Sequence, residues 1–392
     1  MKVLILGIGM QGKAALHDLV ASAAVSEIVA ADVERDALAS YVERHGWGGR
    51  VRCEHVDAAD PDSLDRLIGM QPDVAMDLLP AAFREDVAQV AIDHGVNLVN
   101  TLYVTGKLKE LDDTAHARGV TILPEFGLDP GIDLVMLGEA WRSFDVIEEM
   151  HSYDAGIPEP DAADNPIRYK VSWAFEGVLA AYRRPARAIR DGVVTEIDRA
   201  EVFSPENVHS VDIPGVGVLE AYPNGDAAGY AGQLGLDTRS LRAAGRYTMR
   251  WPGHCAFWKN VVDLHLLDPE PVSVDGMPVD RVSFLAAAIG PHIQYAPGER
   301  DLVVVRVDVI GRRGGQRRRL RYEVVDRRDL PTGLSAMSRT VGFTASIGAH
   351  MIYDGRIKGP GIVSPVTDVP YDALVAELAR RGIRITCDET TV

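Results

Sequence analysis

The apolar run Val-Leu-Ile-Leu at residues 3–6 leads directly into Gly-Ile-Gly-Met-Gln-Gly at residues 7–12. A short apolar stretch closed by glycine reads as a strand buried in a parallel sheet. Glycines at 7, 9 and 12 have the spacing of a dinucleotide-binding turn. Gly7 permits the tight turn, Gly9 lets a pyrophosphate approach the backbone, and Gly12 lets the next helix lie close to the strand. That helix, expected from about Gly12 to Ala21, offers free N–H groups and the positive end of its dipole to phosphates. Asp32 ends the second strand-like run, Glu-Ile-Val-Ala-Ala-Asp-Val, 20 residues beyond Gly12. An acid there accepts hydrogen bonds from an adenosine ribose.

These features predict a nicotinamide dinucleotide cofactor. NAD is expected in preference to NADP, because a 2′-phosphate would meet the like charge of Asp32, an effect that nearby Arg35 only partly offsets. Met10, Gln11 and Val33 belong to the same expected site through their neighbours. Asp57, at the exit of a third strand, is placed where adenine would be met. Leu79 and Pro80 end a fourth strand, and ligands in such sheets sit beyond the carboxyl ends of the strands. That puts both beside the nicotinamide.

Strand and helix patterns alternate through roughly the first 125 residues, as in a doubly wound parallel sheet. After Gly131 the pattern changes to longer strands and hairpins. The clearest is Asp301–Asp326, two β-rich arms around Gly314-Gly315. A helix over about Ser335–Tyr353 and a final helix–strand pair follow. The expected fold is therefore α/β. A Rossmann domain is formed by residues 1–128 plus 335–392, and an α+β substrate and dimerisation domain by 129–334.

Composition narrows the function. A net charge of -16 argues against nucleic-acid or membrane-surface partners, which attract basic patches. Cys53, Cys255 and Cys387 are far apart and have no metal-ligand spacing, so neither a disulfide framework nor a metal site is expected. His254 beside Cys255 reads better as a substrate-lining or structural histidine than as a metal ligand. No run is long and apolar enough to span a bilayer. With no signal-peptide pattern at the start, a cytoplasmic location is expected.

The stretch Leu123–Leu134, LPEFGLDPGIDL, places three carboxylates among apolar residues. Burying an unpaired carboxylate is expensive, so these acids need a partner. Tyr103, Glu125 and Asp129 all follow strands of the first sheet and are expected at its carboxyl edge. A carboxylate beside a nicotinamide attracts a substrate ammonium or takes a proton from it. The competing reading of Asp129 is a turn and helix-capping residue. Lys170, in Arg-Tyr-Lys-Val-Ser-Trp, has alternating neighbours. If that segment is a strand and the lysine is buried, its pKa falls and it can act as acid or base.

GLDPGID, NPIRYKVSW, EGVL and AYPNGD together resemble the saccharopine dehydrogenase family over nearly the whole chain. Its two ends are most similar to the lysine 6-dehydrogenase branch and its middle to the saccharopine reductase branch. The resemblance implies a hydride transfer at the C–N bond of a basic amino acid or its conjugate, passing through an imine, and a homodimer. It implies substrate roles for Asp129, Tyr103, Asn165, Lys170 and Asn224, with Arg246 and Arg250 suited to a substrate carboxylate. Two departures stand out. Gly225 replaces an arginine of the reductases. Asp154-Ala155-Gly156 replaces their Cys-Gly-Gly, and Asp154 suits a cation. A carboxynorspermidine-type condensation enzyme and a catalytically silent nucleotide-sensing regulator are the alternatives.

Overall fold

The computed structural model describes every residue except Thr238. The chain divides into two units, one of residues 1–139 and 338–384, the other of 140–337 and 385–392.

The first unit opens with β1 (Lys2–Leu6), α1 (Met10–Ala21), β2 (Glu27–Asp32), α2 (Arg35–Arg44), β3 (Val51–His55) and α3 (Pro61–Ile68). It continues through β4 (Val74–Asp77), α4 (Arg84–His94), β5 (Asn97–Asn100), α5 (Gly106–Lys109), α6 (Asp112–Arg118) and β6 (Thr121–Leu123). The last of this series, α7 (Ile132–Ser143), carries the chain out. Local chemistry sets several boundaries. Asp60 caps α3 by accepting the Asp62 amide, with Pro61 in the first turn. Gly95 ends α4 at φ 71°, a left-handed position that favours glycine.

The second unit holds β7 (Val146–Pro158), α8 (Phe175–Ala181), β8 (Ala186–Arg190), β9 (Val193–Ile197), β10 (His209–Ile213) and β11 (Gly217–Pro223). After these come α9 (Ala227–Gln233), β12 (Ala243–Arg250), α10 (His254–Asp263), β13 (Val272–Val274), β14 (Met277–Val279) and α11 (Arg281–Ile289). The hairpin β15 (Asp301–Arg313) and β16 (Gln316–Arg327) completes this stretch. The chain then returns to the first unit as α12 (Ala336–Tyr353), β17 (Gly361–Ile362), α13 (Pro365–Asp368) and α14 (Tyr371–Arg380), and it ends in β18 (Ile385–Thr391).

Among the described residues, the first unit carries a seven-stranded sheet in the order β17-β6-β5-β4-β1-β2-β3. All of its pairings are parallel. The order reverses direction at β1 and β4, which opens a crevice at their carboxyl ends. Leu4, Leu6, Val29, Ala75 and Leu98 pack on one face against Leu64, Leu67, Val87, Ala88 and Ala91 of α3 and α4. On α12, a Cβ at Gly342 would lie 2.4 Å from the Gln11 carbonyl oxygen, so only glycine lets α12 approach α1 this closely. The nearly buried Asp18 of α1 takes Arg381 Nε at 2.7 Å and the Ser346 hydroxyl at 2.6 Å.

The second unit's main sheet runs β10-β11-β12-β7-β15-β16-β18, with β8 and β9 branching from β12. Its β12–β7 pairing is parallel, and β7–β15–β16 is antiparallel. One face carries Ala155, Ile157, Leu219, Ala221, Met249 and Leu302. A separate cluster gathers Tyr169, Val178, Leu179, Tyr182, Tyr222 and Trp258 around α8 and α10.

Two sequence expectations need correction. The tail from 335 to 392 does not lie whole in the first unit, because β18 pairs antiparallel with β16. Its sequence, ITCDETT, is largely exposed and polar, as suits an edge strand. Arg313 and Arg318 of the hairpin both meet Glu389 on it. The segment around Lys170 is not a strand. Residues 168–173 run irregularly, and Arg168 sits at φ 49°. No helix among the described residues is long and apolar enough to cross a membrane.

Candidate functional site

In the first unit, the three glycines of the turn do different work. At Gly12 a Cβ would lie 2.1 Å from the Gly7 carbonyl oxygen. At Gly7, with φ 89°, it would lie 2.8 Å from the Leu78 carbonyl oxygen. Both are demanded by the fold. A Cβ at Gly9 would meet nothing within 4 Å, so the space beside that residue is open to a ligand. The first turn of α1 has no acidic residue, and Gly9 gives its start no side-chain cap, so its amides are left for an anion. The residues present therefore fit a dinucleotide pyrophosphate. Met10 is 41% exposed at this turn, and Gln11 is half-buried.

Asp32 is where the sequence puts it, at the end of β2, but its carboxylate is engaged by backbone. Oδ2 accepts the Ile8 amide at 2.7 Å, and Oδ1 accepts the Glu34 amide at 3.0 Å. It ties the end of β2 to the glycine turn. Val33 and Arg35 beyond it are exposed. Asp57 is exposed, and its carboxylate accepts the Ala59 amide at 2.9 Å. Pro80 is exposed beyond β4, whereas Leu79 turns partly into the core beneath the sheet.

At the carboxyl edge of β5 and β6, the Tyr103 hydroxyl donates to Asp129 Oδ1 at 3.1 Å. Glu125 is buried at φ 56° and accepts the Val104 amide at 3.3 Å. Asp133 is also buried and accepts the Gly131 amide at 2.8 Å, within the turn that starts α7. The structure thus brings Tyr103 and Asp129 together and gives Glu125 and Asp133 backbone partners. Sequence reasoning missed Asp77. It closes β4 fully buried, and burial pushes its carboxyl up to about 7. An acid ending the otherwise apolar run Val-Ala-Met is the signal that marks it.

In the second unit, Arg246, Thr248 and Arg250 share one face of β12 by strand alternation. Register brings Asp154 of β7 and Tyr222 of β11 beside Thr248. Asn224 Nδ2 donates to the Thr248 hydroxyl at 2.9 Å, and that hydroxyl donates to Asp154 Oδ1 at 2.9 Å. The relay fixes the Asp154 carboxylate, whose charge bears on the buried Arg250 guanidinium. The Arg246 guanidinium lies 4.7 Å from the Tyr230 ring centre, and that of Arg250 lies 5.2 Å from Tyr169. Arg250 spends Nη1 on the Met249 carbonyl at 2.9 Å, and its buried Nε has no hydrogen-bond partner. Two guanidiniums on one strand face, with a carboxylate on the neighbouring strand, suit a ligand carrying both carboxylate and ammonium groups.

His254 is fully buried, and burial beside the Arg250 charge pushes its imidazole down to about 3. It is therefore neutral. Nδ1 donates to the Ile167 carbonyl at 3.0 Å, which leaves Nε2 to accept the Tyr182 hydroxyl at 2.8 Å. Both nitrogens are thus engaged, Nδ1 on the Ile167 carbonyl and Nε2 on the Tyr182 hydroxyl. Asn165 turns back on its own loop, bonding the Tyr169 carbonyl and amide and the Ile167 amide.

Lys170 is buried, but the neutral-lysine reading does not hold. Its ammonium bonds both oxygens of Glu299 at 2.8 and 2.7 Å and lies 3.0 Å from Asp164. Burial works to lower its pKa, but these two carboxylates outweigh it and hold the group above the usual lysine value. It is a fixed charge. Glu299, its main partner, was also missed by sequence reasoning.

Residues 3–123 match the family model described as the saccharopine dehydrogenase NADP binding domain. Residues 127–383 match the saccharopine dehydrogenase C-terminal domain. The bovine mitochondrial alpha-aminoadipic semialdehyde synthase is 27% identical over 99% of this chain and 48% of its own length. The chain thus spans about half of that relative. The saccharopine dehydrogenase [NADP(+), L-glutamate-forming] of Schizosaccharomyces pombe is 25% identical over 84% of this chain and 87% of its own. The apo structure of the Saccharomyces cerevisiae saccharopine dehydrogenase (L-Glu forming) superposes with a TM-score of 0.86 at 23% identity, covering all of both chains.

The expected preference for NAD is overturned by these matches, since the domain model is NADP-binding and the S. pombe relative is named for NADP(+). The physical reason lies in Asp32. Its carboxylate is held by two amide donors, and both oxygens are engaged by the backbone. Exposed Arg35, 3.5 Å from Asp36 at the start of α2, is a cation close to that position.

Proposed function

Because this chain belongs to the saccharopine dehydrogenase family, we propose that it is an NADP-dependent oxidoreductase acting on the C–N bond of a basic amino acid or its conjugate. Saccharopine and the ε-amine of lysine are the substrates of first choice. The observation that carries this reading is the β12 face. Arg246 and Arg250 offer charge-assisted hydrogen bonds to a substrate carboxylate, and Asp154, aligned by Thr248 and Asn224, offers its charge to an ammonium.

NADP, when bound, supplies the hydride acceptor at its nicotinamide. The Gly7–Gly12 turn and the start of α1 would hold its pyrophosphate, and Arg35 its 2′-phosphate. The substrate amine must lose a proton before its carbon can give up hydride. Asp129 stands ready for that proton and for the positive charge that develops at nitrogen, with the Tyr103 hydroxyl fixing its orientation. Lys170, tied to Glu299 and Asp164, serves as a fixed charge that braces its loop and takes no part in proton transfer.

The test is formation of NADPH by the purified chain with saccharopine, lysine, ornithine and diamines, each repeated with NAD. Turnover with saccharopine or lysine and NADP supports the reading. Turnover with diamines alone would favour the polyamine-type alternative. Tight NADP binding with no turnover of any amine would favour a nucleotide-sensing regulator.

A further inference from the structure

Asp77 and Asn100 close neighbouring strands and are register partners in the parallel β4–β5 pair. Their side chains therefore lie on the same face of the sheet. Two residues earlier, their counterparts Ala75 and Leu98 pack with Val87 and Ala88 of α4. Asp77 and Asn100 thus face the beginning of that helix.

Each uses one side-chain atom to fix its own loop. Asp77 Oδ1 accepts the Leu79 amide at 3.0 Å, and Asn100 Oδ1 accepts the Leu102 amide at 3.0 Å. The other atoms, Asp77 Oδ2 and Asn100 Nδ2, are buried with no hydrogen-bond partner. Such atoms are costly and uncommon. The charged group bearing on Asp77 is Arg84, the first residue of α4.

Arg84 also grips the next loop. Its guanidinium donates to the Tyr103 carbonyl and, at 3.3 Å, to that of Ala81. Its Nε is buried without a hydrogen bond, 3.6 Å from the Glu85 carboxylate. Glu85 in turn accepts the Thr105 hydroxyl at 2.6 Å. The Tyr103–Thr105 loop is therefore pinned to the first turn of α4 at both ends, and Tyr103 is the residue whose hydroxyl meets Asp129.

We propose that Asp77 and Arg84 are positioning residues for the Tyr103–Asp129 pair, the Asp77 carboxylate orienting the guanidinium that holds the Tyr103 backbone. This rests on the functional reading above and adds a pH-dependent element to it. Burial pushes the Asp77 carboxyl up to about 7, so its charge changes near neutrality. Below that pH, Asp77 is neutral and Arg84 is left to Glu85 and the carbonyls. Above it, the carboxylate draws the guanidinium and fixes its orientation. Arg84 is the charge on α4 that bears on Asp77, and Glu85 lies 3.6 Å from its Nε. Asn100 from β5 and Leu6 from β1, its register partners, do not titrate.

The experiment compares full-length wild type, Asp77→Asn and Arg84→Gln with NADP and the best amine substrate between pH 6 and 9. Asp77→Asn should match wild type within about twofold at pH 6 and fall about tenfold in kcat at pH 9, with KM for NADP unchanged. Arg84→Gln should lose the same factor at pH 9, and the double variant should lose no more. Parallel profiles, or a uniform loss at every pH, would overturn the proposal. A second readout needs no turnover. In protein labelled with [13Cζ]tyrosine, the Tyr103 resonance, assigned with Tyr103→Phe, should shift with a midpoint near pH 7 in wild type and stay fixed through that range in Asp77→Asn. An unchanged midpoint in Asp77→Asn would overturn it equally. If wild type turns over no amine, the functional reading fails and the resonance still decides the Asp77 assignment.

Discussion

Tyr103 and Asp129, 26 residues apart, meet through a 3.1 Å hydrogen bond from hydroxyl to carboxylate. Asp133, four residues on, uses its carboxylate to accept the Gly131 amide instead. The two acids of one turn therefore have separable tasks. Asp129→Asn should lower kcat at least about tenfold, within the range of a lost acid–base contribution, and leave NADP affinity intact. Asp133→Asn should act mainly on thermal stability. Steady-state kinetics and melting curves on both variants check this, and near-wild-type turnover in Asp129→Asn would reduce that acid to a turn residue.

Asp32 has a structural task in this chain, tying the end of β2 to the glycine turn. Replacing it with alanine leaves the Ile8 and Glu34 amides without their acceptor. The expected loss is about 1.5–3 kcal/mol of stability, as for hydrogen bonds to a charged group. The ratio of NADP to NAD use should change little. Arg35→Ala should instead raise KM for NADP about tenfold and leave NAD use alone. Denaturant titration and paired cofactor kinetics separate the two outcomes, and a large cofactor switch in Asp32→Ala would restore that residue to the ribose.

Lys170 makes a contrasting case. Cutting it to methionine leaves Glu299 facing its loop without a cation. Breaking a fully buried pair costs about 3–5 kcal/mol. Here about 2 kcal/mol is expected, because the Glu299 side chain is 22% exposed and can be hydrated. The pH–rate profile of Lys170→Met should keep the shape of the wild type. A limb that disappears with the lysine would return it to the role of general base.

What could be read in advance followed from distance along the chain. The glycine turn and the parallel strands depend on spacings of a few residues, so the sequence carries them openly. Asp32 was legible as a position, but its bond to the Ile8 amide, made across the strand pair, was not. Lys170 and Glu299 are 129 residues apart. No local pattern pairs them, so a lysine among apolar neighbours looked like a proton carrier. Asp77 gains its character only when α4 and β5 close around it. The final strand likewise looked like one more unit of the first sheet, because Ile-Thr-Cys has strand propensity wherever an open edge takes it.

His254 gives a test by pH. Its imidazole is neutral in the folded protein, with a value pushed down to about 3 by burial and by Arg250. In the unfolded chain it takes up a proton near pH 6.5. The unfolded state therefore binds more protons below that point, and the native state loses stability as pH falls. Its share is fully present above pH 6.5 and drains away toward pH 3. His254→Gln can bond the Ile167 carbonyl and the Tyr182 hydroxyl and does not titrate. The stability difference between wild type and His254→Gln should thus shift by about 1.6 kcal/mol between pH 6.5 and 5, against the wild type, the slope rising to 1.36 kcal/mol per pH unit below the unfolded value. Urea titrations at the two pH values measure it. A difference that stays constant would mean that His254 is protonated in the folded protein and that its bond to Tyr182 runs the other way.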